Sequence, residues 1–185
     1  MIDCLGRMNK ILFFVTFLFL SSCASEVNVE SIAKKIIDGE IGNADEFVKE
    51  GGRVGLRTSF GVSMLFVSSV AGNEELVEYL LSQNADVNGV NNDGASPLYA
   101  AVQLGRLKIV QLLLSANARV NINIKGHAHP TPLHLAVINH FYEIAELLVI
   151  AGADVNIVNR DGYTALDLAI KEKAPDYLVS LMRDR

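Results

Sequence analysis

Apolar residues recur three and four apart in three matching sets: Leu76, Val77, Leu80 and Leu81; Ile109, Val110, Leu112 and Leu113; and Ile144, Ala145, Leu147 and Leu148. That spacing puts each set on one stripe of an amphipathic helix. Asn84, Asn117 and Gly152 follow the three sets and predict the helix stops, and each chain then runs on through Ala-Asp-Val-Asn or Ala-Arg-Val-Asn as an extended segment. A shorter apolar run precedes each stripe. Thr131-Pro132-Leu133-His134-Leu135-Ala136 reads as a helix start, with a hydroxyl to cap the first turn and a proline at the first helical position, where a missing N–H costs nothing. Ser96-Pro97-Leu98-Tyr99-Ala100-Ala101 and Thr164-Ala165-Leu166-Asp167-Leu168-Ala169 repeat it, and Ser63-Met64-Leu65-Phe66 is a worn copy.

These motifs mark a period. Gly39, Gly72, Gly105, His140 and Lys173 sit between the two helices of successive units and are 33, 33, 35 and 33 residues apart. Self-similarity of that length means stacked repeats. Each marker is a tight turn; glycine adopts left-handed angles at little cost, whereas His140 and Lys173 must use another turn geometry or carry strain. Asn91-Asn92-Asp93-Gly94 and Asn159-Arg160-Asp161-Gly162 supply side-chain-bonded turns that lead into the next helix pair, with Asp86, Asp93, Asp154 and Asp161 read as turn formers. The unit is helix, turn, helix, hairpin, and about five fit the chain.

The combination of Thr131-Pro132-Leu133-His134-Leu135-Ala136 with Gly152-Ala153-Asp154-Val155-Asn156 and Asp161-Gly162 resembles ankyrin repeats. The resemblance covers about residues 29 to 185 and is most specific in the last three units. It implies an all-α repeat solenoid, an L-shaped stack with short helices behind and projecting hairpin tips. The expected divisions are an N-terminal capping unit at 29–60, units at 61–93, 94–128 and 129–161, and a C-terminal capping unit at 162–185. Lys34, Lys35, Asp45, Glu46, Lys49 and Glu50 in the first unit, and Lys171, Glu172, Lys173, Asp176 and Arg183 in the last, suit terminal repeats with one solvated face.

The first 23 residues follow a different pattern. Arg7 and Lys10 precede the uncharged run from Ile11 to Leu20, after which Ser21 to Ser25 are all small. This is the layout of a secretory signal, and the run is about half the roughly 20 apolar residues a spanning helix needs. Met8 would itself make a normal start. Leu20-Ser21-Ser22-Cys23 resembles the lipobox of bacterial lipoproteins, which implies cleavage before Cys23 and acylation of its thiol; an ordinary signal cut after Ala24 is the alternative. Cys4 falls in the discarded segment, so the mature chain would hold one cysteine and no internal disulfide. Ala24 after the cysteine, not being Asp, implies the outer membrane of a Gram-negative cell, facing the periplasm, with residues 24–28 as a tether.

Half of the 185 residues are apolar and a fifth are charged, which suits one well-buried domain. The formal net charge of -5, which loss of Arg7, Lys10 and Asp3 makes more acidic by one, lacks the basic stripe that nucleic acid requires. No phosphate loop, carboxylate pair or serine elbow is present, so an enzyme is not expected, nor a cofactor. His134 reads as a structural hydrogen-bonding residue, since Tyr99 and Asp167 hold the same place in neighbouring units. His127 and His129 lie in the two-residue insertion that lengthens one spacing; a metal site there would need further ligands that the segment does not offer.

What remains is recognition of a protein by a monomer tied to the membrane through its N-terminal lipid. In a repeat stack, hairpin tips and the exposed side of each first helix are free of packing duties. By resemblance to ankyrin binders the contact candidates are Ser59, Phe60, Val62, Asn92, Asp93, Ala95, Gln103, Leu104, His127, His129, Ile138, Asn139, Arg160, Tyr163, Lys171 and Glu172. Phe60, Leu104, Ile138 and Tyr163 are large and apolar or aromatic where a solitary protein would be polar, although singly exposed apolar residues are ordinary. The expected function is a lipid-anchored envelope protein that binds a partner, by analogy an immunity protein against a periplasmic toxin. The alternative is an accessory protein for a periplasmic redox or metal enzyme, in which His127 and His129 would matter.

Overall fold

The computed structural model describes residues 27–121 and 130–185. Among them are ten short helices: α1 (Val29–Ile37), α2 (Ala44–Lys49), α3 (Met64–Ala71), α4 (Glu74–Ser82), α5 (Pro97–Gln103), α6 (Leu107–Ser115), α7 (Pro132–Ile138), α8 (Tyr142–Ile150), α9 (Ala165–Lys171) and α10 (Asp176–Arg183). Odd-numbered helices pack on one another in chain order, and even-numbered helices do the same. The stack therefore has an inner layer, α1-α3-α5-α7-α9, and an outer layer, α2-α4-α6-α8-α10. None of these helices is long and apolar enough to cross a membrane.

The apolar stripes meet between the layers. Leu76, Val77 and Leu80, then Ile109, Val110 and Leu113, then Ile144, Ala145 and Leu148 are all buried, and they join Leu65, Leu98, Leu133 and Ala165 of the inner helices in one continuous core. No single unit could bury its stripe alone, which is why the stack extends as a unit. Inner helices begin where the hydroxyls cap them. Ser63, Ser96, Thr131 and Thr164 each accept the N–H three residues on. Buried Ser68 and Ser69 satisfy their hydroxyls on carbonyls one turn back in α3.

All five markers between paired helices are left-handed, with φ of 78° at Gly39, 81° at Gly72, 66° at Gly105, 59° at His140 and 54° at Lys173. His140 and Lys173 thus keep the glycine geometry and carry its strain, at a cost of order 1 kcal/mol each. At two of the markers the next unit crosses close to the turn. A Cβ on Gly72 would lie 3.0 Å from the guanidinium of Arg106, and one on Gly105 would lie 2.7 Å from the ring of Phe141. The crossing residue is the one after the next marker. At Gly39, by contrast, a Cβ would meet nothing within 4 Å.

The outer helices stop by the same device. Asn84, Asn117 and Gly152 have φ of 61°, 62° and 89°, and the N–H groups of Ala85, Ala118 and Ala153 bond back to the carbonyls of Leu80, Leu113 and Leu148. This pairing closes the orphan carbonyls of a helix end.

Candidate functional site

The hairpins are built on one residue per turn. Asn91 Oδ1 accepts from the N–H groups of Asp93 and Ala95 at 3.0 and 2.9 Å, and Asn159 Oδ1 accepts from those of Asp161 and Tyr163 at 2.9 and 3.0 Å. Thr58 holds the same place in the first hairpin, where its hydroxyl accepts from Val62 N–H at 3.2 Å. The expectation that Asp93 and Asp161 form these turns is corrected: asparagine does so, and the aspartates are left at the exposed tips. Asp86 and Asp154 do act as expected, each accepting the N–H two residues on.

Neighbouring hairpins are tied into a row. Asn92 N–H donates to Phe60 O at 3.1 Å, Arg119 N–H to Asn88 Oδ1 at 2.8 Å, and Asp154 N–H to Asn121 Oδ1 at 2.9 Å. At one end Ser59 N–H donates to Glu30 Oε1 at 2.7 Å, and this backbone bond holds the Glu30 carboxyl below its usual value. Arg57 donates to the carbonyls of Gly61 and Val90, bridging two tips, and lies 3.9 Å from Asp86.

His134 belongs to this framework. Its ring is fully buried, Nδ1 lies 2.8 Å from Thr131 Oγ1 and accepts the Thr131 N–H at 3.2 Å, and Nε2 lies 3.1 Å from Tyr163 O in the next hairpin. An Nδ1 acceptor leaves the proton on Nε2, which donates to the Tyr163 carbonyl. Burial pushes the pKa of His134 down, against the raising effect of its bonds to the Tyr163 and Ile157 backbone. A neutral imidazole clamped on both nitrogens holds two units together and has no free nitrogen for chemistry. Asp167 repeats the capping half of this arrangement, accepting the Thr164 N–H and hydroxyl at 2.9 and 2.7 Å, which lowers its pKa.

The contact candidates fall on the inner layer and the hairpin row. Phe60 is 71% exposed, Leu104 46%, Ile138 42% and Tyr163 40%, so these four side chains stand in solvent rather than in the core. Ser59, Asn92, Asp93, Gln103, Asn139, Arg160, Lys171 and Glu172 are exposed beside them, and Val62 is half-buried. Lys171 Nζ sits over the Tyr163 ring, 5.0 Å from its centroid, in a cation–π contact. Ala95 is the correction: at 8% exposure, bonded to Asn91 at both its N–H and its carbonyl, it is part of the turn and offers no contact. Cys23, His127 and His129 lie outside the described residues.

Two features of this face were not read from the sequence. The helices α3, α5 and α7 contain no Asp, Glu, Lys or Arg at all, whereas their outer-layer partners carry Glu74, Glu75, Glu78, Lys108, Glu143 and Glu146. A groove of about 390 Å³ also opens between α1, α3 and the first hairpin, walled by Ala33, Ile37, Phe60, Val62, Phe66 and Val70. The first feature was visible as uncharged runs after Ser63, Ser96 and Thr131 but not after Thr164; the second depends on how α1 leans on α3 and had no sequence signal.

A family model described as ankyrin repeats in three copies matches the chain over residues 20–125 and 121–184. Among similar proteins, the nuclear factor NF-kappa-B p105 subunit of Gallus gallus is 44% identical over 61 residues, covering 33% of this chain and 6% of that protein. The B-cell lymphoma 3 protein homolog of Mus musculus is 38% identical over 61 residues, 33% of this chain and 14% of that protein. The Notch-regulated ankyrin repeat-containing protein of Homo sapiens is 45% identical over 49 residues, 26% of this chain and 43% of that protein. The chain thus spans less than half the length of each of these relatives. Repeats of this kind imply protein–protein interaction, and this chain, matched along most of its length, belongs to the ankyrin-repeat family.

Proposed function

We propose that this protein is a lipid-anchored component of a bacterial cell envelope that binds a partner protein through its inner-helix and hairpin face. The observation that carries the binding half is the exposure of Phe60, Leu104, Ile138 and Tyr163 on a face whose central helices bear no charge. Large apolar side chains in that setting have the composition of an interface centre, where charged residues are depleted. The anchoring half is supported by Leu20-Ser21-Ser22-Cys23 following an apolar run too short to span a bilayer. On this reading Cys23 is acylated, Ala24 after it directs the protein to the outer membrane facing the periplasm, and the repeats act as a monomer. Neutralising a toxin delivered into that compartment is the specific role this build suits, with the toxin as the partner.

Metabolic labelling with a fatty acid tests the anchor: label and salt-resistant membrane association are both expected, and both should vanish in Cys23→Ser. A soluble, unlabelled wild type would overturn it. Photo-crosslinkers tested at Phe60, Tyr163, Lys108 and Glu143 address the binding face in the living cell. A discrete adduct from the first two positions and none from the last two is expected; the reverse pattern would move the interface to the outer layer.

A further inference from the structure

We infer that the seam between the fourth and fifth units is an acid-sensitive latch, in which proton uptake by His134 releases the Tyr163 hairpin and α9 from α7. The part of the proposed face that carries Tyr163 and Lys171 is then held in place only while the imidazole is neutral, a consequence that rests on that face although the latch itself does not. Three residues after the inner-helix caps stand Phe66, Tyr99, His134 and Asp167, and among them only His134 is both fully buried and able to titrate near neutral pH. Its two nitrogens are already committed. Nε2 donates to Tyr163 O at 3.1 Å across the seam, and Nδ1 accepts the Thr131 N–H at 3.2 Å with the Thr131 hydroxyl 2.8 Å away.

A second proton has only Nδ1 to bind. There it points a new donor at the Thr131 N–H, which is a donor too, and it leaves a cation cut off from water. Neighbouring charges do not offset it. Of the helices packed on α7, α5 has no charged residue, α8 has Glu143 and Glu146, and α9 has Asp167 and Lys171, while the loop and hairpin before α9 carry Asp154, Arg160 and Asp161. Asp167 is engaged by the Thr164 N–H and hydroxyl, and Lys171 brings positive charge to the Tyr163 side of the seam. Burial, opposed by the Tyr163 and Ile157 backbone bonds, sets the proton affinity of the ring and favours the form with one proton. Opening the seam is the smallest change that hydrates the cation. Among the described helices α9 packs on α7 and α10, so lifting the fifth unit breaks one interface between units and leaves the other four stacked. An exposed ring binds its proton near the ordinary value of 6.5 and the buried ring lower, so the open form gains as pH falls through and below 6.5. At pH 5 that gain is bounded at about thirtyfold.

Hydrogen exchange of the full chain in nanodiscs, read by mass spectrometry at pH 7.5 and pH 5 and corrected for intrinsic rates, tests the latch without any partner. Protection of α9 and α10 should fall about five- to thirtyfold, while that of α3 and α4 should change by less than about twofold. Asp167, held below its ordinary value, stays ionised at pH 5 and keeps α9 capped. In His134→Gln, whose amide can accept from the Thr131 N–H and donate to Tyr163 O at either pH, the loss at α9 and α10 should vanish. Nitrogen-15 NMR of the histidine rings needs no variant: His134 should be the Nε2–H tautomer at pH 7.5, and its titration midpoint should lie below 6.5, in step with the loss of α9 protection. Equal loss in all units, loss that persists in His134→Gln, protection unchanged at pH 5, or a ring that titrates without it would each overturn the latch and leave the proposed face standing.

Discussion

The inner and outer helix layers are built from the same repeat and bury the same core, yet they meet solvent differently. Inner helices α3, α5 and α7 start on buried Ser or Thr caps and present Phe66, Gln103, Leu135 and Ile138 outward, with no charged residue among them. Outer helices α6 and α8 begin with no side-chain cap, and the outer layer shows Glu74, Glu75, Glu78, Glu143 and Glu146 to water. A solvated face accumulates charge, and the outer layer does. The inner layer instead keeps the composition of a surface that spends its time covered. The first two hairpins are tied tip to tip by Asn92 N–H on Phe60 O and by Arg57 on the Gly61 and Val90 carbonyls, which holds that part of the surface in shape and lowers the ordering cost of binding.

The sharpest way to break the comparison is through the seam both layers share. Leu113 and Leu148 are fully buried, so either change to Ala should cost about 2 to 5 kcal/mol in urea unfolding, whereas Lys108→Ala on the outer face should stay within about 0.5 kcal/mol. Equal small effects at all three would mean that the layers do not meet where the structure places them. Next comes the inner-layer cap. Thr131→Ala should cost about 1 to 2 kcal/mol, because it removes the hydroxyl that caps α7 and one partner of a buried imidazole. An unchanged midpoint would show that the cap is replaceable.

His134 gives the inner layer a pH dependence of its own. Its folded pKa is depressed by burial, so the unfolded chain binds the proton more readily, and the stability it confers is full above the unfolded value near 6.5. That stability is lost as pH falls from there through the lower folded value. Urea midpoints should therefore drop more steeply below pH 6.5 in the wild type than in His134→Gln; parallel curves would contradict the clamped neutral imidazole.

How legible was this architecture beforehand? The caps, the left-handed markers and the apolar stripes were readable because each recurs at a fixed period and each has a local physical cause: a hydroxyl for orphan N–H groups, a residue that tolerates positive φ, a 3.6-residue repeat of burial. What escaped the reading depends on neighbours in space. What a side chain at Gly72 or Gly105 would meet is set by Arg106 or Phe141 crossing over it from the next unit, and Ala95 is buried because its hairpin folds back onto Asn91. The groove between α1, α3 and the first hairpin likewise depends on how α1 packs against α3. The crossing rule can be checked by a small effect of opposite sign. Lys173→Gly should raise stability by about 0.5 to 1 kcal/mol by relieving a left-handed lysine, while Gly105→Ala should lower it by more, since Phe141 occupies the space.

On the proposed reading the recognition surface is the hairpin row with the uncharged central inner helices α3, α5 and α7, rather than the acidic outer layer. It is tested most directly by measuring partner affinity for two quadruple variants, one with Phe60, Leu104, Ile138 and Tyr163 changed to Ser and one with Lys108, Gln111, Glu143 and Glu146 changed to Ala. The first should lose at least a hundredfold in affinity at an unchanged melting temperature, with about 1 to 3 kcal/mol traceable to Phe60 and to Tyr163 singly, while the second should bind as the wild type does. Binding that survives the first set and fails with the second would contradict it.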